Sequence, residues 1–150
     1  MKKRNTTIAP MLSVRNGAKA IEFYKAAFEA KELNHVEDPS GAVVAQLLVG
    51  ESEIWLADES PENLNFSPES LGGSTTRIVM VADDPDAAFE WAVKAGAKVV
   101  WLVADQPYGW RVGRVVDDRD CVLKRFPQGD SRDSAMTIGM KSVNNSLVLS

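Results

Sequence analysis

Apolar residues recur at helical spacing in two places along the chain. In "NGAKAIEFYKAAFEA", Ala20, Ile21, Tyr24, Ala27 and Phe28 fall on one stripe. Asn16, just ahead of it, is a natural N-cap. In "DDPDAAFEWAVKAGA", Ala88, Phe89, Ala92 and Val93 make the second stripe. Asp84 is its N-cap, Pro85 takes the first helical position and Gly96 marks the stop. Each helix follows a short β-like run, "MLSV" in the first case and "RIVMVA" in the second. Each precedes a β-rich stretch broken by a polar turn, "AVVAQLLVGESEIWLAD" and then "WRVGRVVDDRDCVLKRF".

The second pattern repeats the first at an ungapped offset of 68 positions. Ala20 meets Ala88, Gly41 meets Gly109 and Val44 meets Val112, and helix falls on helix. The chain therefore reads as two β-α-β-β-β modules, residues 7–58 and 75–127. Residues 59–74, rich in Ser, Pro, Asn and Gly, read as the linker. Residues 1–6 are a tail. Residues 128–150 form a second tail, packed on the domain or on a partner chain. One module cannot cover both faces of its sheet. The fold class expected is α+β, with two tandem modules forming a curved mixed sheet around a small-molecule cavity.

A duplicated module of this kind resembles the vicinal oxygen chelate superfamily, which holds glyoxalases, bleomycin resistance proteins and extradiol dioxygenases. "AIEFYKAAF" and "DAAFEWAVKAGAKVV" are similar to its two helices. "YGWRVGRVVDD" is similar to the Y/W-G-D-R-x-G-x-V-x-D-P signature of the PhnB-like branch, with Trp110 in place of the aspartate. Where relatives read D-P-x-G-H-x-W, this chain reads "DDRDCVL".

The resemblance also implies where a metal would sit. Metal-dependent relatives place histidines and glutamates on the first and last strand of each module. Those positions fall here at Ala9, Leu56, Arg77 (with Thr76 its neighbour) and Lys124. Alanine and leucine have no donor atom, and the two cations repel a metal. His35, the single histidine, lies in a stretch without periodicity and reads as a surface loop residue. Cys121 reads as structural, because no base lies near it in sequence. The cluster Asp117, Asp118 and Asp120 reads as a solvated turn.

If the old ligand positions face inward, strand alternation brings Met11, Ser13, Ile54, Asp58, Val79 and Val81 with them. Val122 and Phe126 join the same set. The candidate ligand-binding residues are Met11, Leu56, Asp58, Arg77, Trp110 and Lys124. Arg77 and Lys124 would favour an anionic or carbonyl-rich ligand, or else pair with Asp58. Trp55 and Trp91 are expected in the core. Trp110, in a loop at the mouth of a strand, is placed to stack on a planar ligand or to cover a dimer contact.

Composition narrows the function. Hydrophobic residues make up 45% of the 150 positions, enough for a packed core. The formal net charge of -4 argues against a nucleic-acid partner, which needs a clustered positive field. One cysteine excludes an internal disulfide, and no apolar run is long enough to span a membrane. A cytoplasmic homodimer is expected, with a small-molecule ligand and no cofactor. The reading is a metal-independent small-molecule-binding protein, serving resistance or sequestration. The alternative is a glyoxalase-like lyase or isomerase with a displaced or non-metal active site, using residual acid-base groups such as Asp58 and Lys124 or a metal at displaced positions, with no catalytic residue assigned. A third reading is a partner-binding domain with no small-molecule role.

Overall fold

The computed structural model describes residues 6–116, 121–125 and 147–149. The chain divides into two compact units, Met1–Ser70 and Leu71–Ser150, both of mixed α and β structure.

The first unit contains β1 (Met11–Val14), α1 (Gly17–Phe28), β2 (Lys31–Glu37), β3 (Val43–Val49) and β4 (Ser52–Asp58). Its sheet runs β1-β4-β3-β2, with β1 parallel to β4 and the other pairs antiparallel. The helix starts where the sequence places it, and the Asn16 side chain accepts the Lys19 amide at 2.9 Å. Ala20, Ile21, Tyr24, Ala27 and Phe28 are buried as the stripe requires. They pack over Val14, Ala45, Leu47, Ile54 and Leu56, all buried.

Helix and sheet are joined by one carboxylate. Asp58, the last residue of β4, accepts the Gly17 amide through Oδ1 at 2.8 Å and the Val43 amide through Oδ2 at 2.7 Å. It thereby satisfies an orphan donor in the helix's first turn and the first amide of β3. Gly17 leaves it room: a Cβ there would lie 2.9 Å from Asp58 Oδ2.

α1 ends on a strained residue. Glu29 caps it at φ 51, ψ 33, in the left-handed region. Glycine occupies such caps without a Cβ clash. Glu29→Gly is expected to stabilise the protein by about 1 kcal/mol, visible as a higher urea midpoint at an unchanged slope.

The second unit repeats the plan with β5 (Ile78–Val81), α3 (Pro85–Lys94), β6 (Lys98–Asp105), β7 (Arg111–Val116) and β8 (Cys121–Arg125). β5 runs parallel to β8, while β8 with β7 and β7 with β6 are antiparallel. β9 (Leu147–Leu149) adds an antiparallel pairing to β5 and β8. Asp84 caps α3 by accepting the Ala87 amide at 3.0 Å. Gly113 of β7 lies under the helix, where a Cβ would come 3.1 Å from Phe89 and 2.6 Å from Val103. Arg111 ties β7 to α3 through a bidentate pair to Asp86, both contacts 2.7 Å, and its Nη1 lies 3.2 Å from Asp105. These bonds, chiefly the one to Asp86, hold its guanidinium more firmly protonated than usual.

Several expectations need correction. The stretch after α1 is strand β2, so His35 is a strand residue. It is exposed, with Nδ1 3.2 Å from Glu32. Trp91 is not core: it is 48% exposed, and Val93 is also exposed. They lie on opposite flanks of the α3 stripe formed by Pro85, Ala88, Phe89 and Ala92.

The segment after β4 is held in place. Ser60 and Asn65 form a bridge, and α2 (Pro68–Leu71) follows. Glu59 accepts the buried Ser67 amide at 2.8 Å and the Ser70 hydroxyl at 2.9 Å. Arg15 lies 3.5 Å from Glu59 and 3.3 Å from Glu69. The Ser67 amide, with help from the two hydroxyls and Arg15, holds the Glu59 carboxyl at about 2. A depressed folded-state value contributes stability above the ordinary value of 4.5, lost as pH falls towards about 2. Urea midpoints should therefore drop between pH 5 and pH 3, and Glu59→Gln should flatten that drop.

Candidate ligand-binding site

Strand pairing sorts the first unit's residues into two faces. The helix-covered face carries Val43, Ala45, Leu47, Ile54, Leu56 and Asp58. Among the described residues no helix lies on the other face. Its central row runs Asn34, Gln46, Trp55, Met11 across the four strands. Beside it lie Val36, Val44, Ala57 and Ser13 in a second row, and Leu48 with Glu53 in a third. Met11 is 59% exposed and Val36 66%, so this is an open surface of apolar side chains around a polar centre. At that centre Asn34 donates to Gln46 Oε1, and Gln46 Nε2 donates to Glu53 Oε2 at 2.8 Å.

The open face of the second unit has a different centre. Trp101, Arg114 and Val79 lie along one row, and Ala104, Val112 and Val81 along the next. The Arg114 guanidinium stands 5.4 Å from the Trp101 ring centre, a cation–π pair. Lys124 occupies the β8 position between Val81 and Val112. Arg77 is exposed and precedes β5 by one residue. Trp110 is half-buried in the β6–β7 turn, edge-on to Tyr108 at 5.2 Å, and Gly109 makes the turn at φ 86.

The six sequence candidates do not share one face. Met11 is on the open face of the first unit. Leu56 is fully buried on the opposite face, against α1. Asp58 shares the Leu56 side and is engaged by two backbone amides. The single inward set of Met11, Ile54, Leu56 and Asp58 is therefore wrong. The cause is visible in the hairpins. Leu47 pairs with Ile54, whereas Val115, its counterpart, pairs with Cys121. The second hairpin is one residue shorter, so Lys124 matches Ala57 and not Leu56. A one-residue slip exchanges the faces of a strand. Phe126 and the aspartates 117, 118 and 120 lie outside the described residues. Gln46, Trp101 and Arg114 went unnoticed as site residues. Gln46 and Arg114 share one signal, a polar or charged residue interrupting an apolar strand, and Trp101 carries none.

With the register corrected, the first unit does not fit a metal. Ala9 and Ala57 carry no donor atom, and Met11, Ser13 and Trp55 beside them are poor ligands for a hard cation. Arg77 is a permanent cation. Among the described residues, no group of three or more His, Cys, Asp or Glu side chains lies together in a metal-holding arrangement.

Paired β-α-β-β-β modules, each with a helix on one sheet face, define the class of fold. Comparison with known proteins then gives the family. The profile of the glyoxalase/bleomycin resistance protein/dioxygenase superfamily matches residues 7–123, and the chain belongs to that superfamily. An uncharacterized protein of Mycobacterium bovis is 39% identical over 114 residues, covering 73% of this chain and 75% of its own length. Among solved structures, a gene product of Arabidopsis thaliana is 28% identical with a TM-score of 0.56, covering 75% of this chain and 90% of that one. TioX from Micromonospora sp. ML1 shares the fold at 22% identity and a TM-score of 0.59, covering 79% and 96%. So does the fosfomycin resistance protein FosX of Mesorhizobium loti, at 17% and 0.57, covering 86% and 96%.

Proposed function

We propose that this protein binds a small organic molecule on the open faces of its modules and does so without a metal. The observation that carries the reading is Ala57. It takes the β4 position matching Lys124, lies on the open face beside Val44 and Ser13, and offers no ligand atom. Arg77 and Lys124 supply positive charge at the matching places of the second module, which suits an anionic or carbonyl-rich group on the ligand. The "YGWRVGRVVDD" stretch supports placement in the PhnB-like branch. In it, Arg111 and Gly113 have structural work: one clamps α3 and the other admits Phe89. Among the described residues no helix is long and apolar enough to cross a membrane. We place the protein in the cytoplasm as a homodimer.

The test is a thermal-shift screen of chelator-treated protein against aromatic acids, quinones and natural-product antibiotics. A ligand at about 100 times its Kd adds roughly 2.7 kcal/mol to the native state, a shift easily read. At least one compound should raise the melting temperature with chelator present. Shifts that occur only after a divalent metal is restored would refute the reading.

A further inference from the structure

We propose that the open face of the first module takes a planar aromatic bearing a protonated amine, with Trp55 under the ring and Glu53 as counter-charge. The inference rests on the small-molecule reading above and names the chemistry of a ligand on the first module.

The orientation of the Gln46 amide is set from both sides. Its nitrogen donates to Glu53 Oε2 at 2.8 Å, and its oxygen accepts from Asn34. Glu53 Oε1 makes no hydrogen bond or ion pair among the described residues. Lys31 stands in the same row two strands away and makes no ion pair with it there. The polar chain thus ends in a carboxylate oxygen with spare acceptor capacity. Trp55 is next to Glu53 on the same face, two residues along β4, and is the direct cross-strand partner of Gln46. Met11, Val44 and Ala57 make the surround apolar. An aromatic ring gains from stacking on an indole, and a cation gains further from its π face. A carboxylate beside that indole selects a positive or N–H-bearing group and disfavours an anion. A ladder that only stiffened the sheet would work equally well with a neutral glutamine at position 53.

Naphthylmethylamine and naphthylmethanol share the ring and differ in charge. Isothermal titration calorimetry should show the amine binding wild-type protein, with a Kd that weakens as sodium chloride rises. The alcohol should bind more weakly and without that salt dependence. Glu53→Gln should weaken the amine at least fivefold, with the alcohol and the melting temperature unchanged. Trp55→Leu should weaken both probes. Amine affinity indifferent to salt and to Glu53→Gln would overturn the proposal, and so would absence of amine binding. If the amine fails while the broader screen still yields ligands, this inference alone falls. If the screen is empty too, the small-molecule reading falls with it.

Discussion

Leu56→Ala is expected to lower the unfolding free energy by about 3 kcal/mol, within the usual range of roughly 2–5 for such a change. The protein that remains folded should bind its ligand with unchanged affinity. Leu56 is fully buried between Ala45 of β3 and Leu12 of β1, on the face that α1 covers. Truncation there leaves a cavity that the rigid sheet cannot close. Ala57, its neighbour, faces the other way. Ala57→Phe should therefore do the reverse, blocking ligand at little cost to stability. Urea unfolding and ligand titration on the two variants separate the faces. A Leu56→Ala protein of normal stability but impaired binding would restore the original register.

Asp58→Ala should be as damaging, at about 3 kcal/mol. Two backbone amides, Gly17 and Val43, lose a charged acceptor at 2.8 and 2.7 Å in a partly buried place. Hydrogen bonds to charged groups contribute roughly 1.5–3 kcal/mol, and buried donors left unmet cost about as much. Asp58→Asn keeps only one acceptor oxygen and should lose about half as much. Thermal melts should show both effects with or without ligand present. A loss appearing only in the ligand complex would make Asp58 a binding residue.

The helices were legible because two independent signals coincide. An apolar stripe begins three or four residues after Asn16 and after Asp84, and both cap side chains form the bonds that sequence suggests. The duplication was legible for the same reason. β2 was not, because every residue of "KELNHVE" is exposed and the segment has no apolar alternation. It is held by pairing with β3 and by the Lys25–Glu32 ion pair to α1 at 2.8 Å. The face assignment failed at one place. An ungapped offset carries Leu56 onto Lys124, and nothing in "DDRD" reveals that this hairpin has lost a residue. Period-two alternation turns that single residue into an exchange of core for surface. The Asp58 clasp spans 41 positions to Gly17, a distance over which sequence spacing says nothing. The Asn34–Gln46–Glu53 chain is likewise visible only once three strands lie side by side.

Elemental analysis of the purified protein decides whether binding is independent of metal. Zinc, nickel, manganese and iron should each lie far below one per chain, and a ligand found in the screen should bind equally well after exhaustive chelation. One tightly held metal per chain, whose removal abolishes ligand binding, would contradict the account.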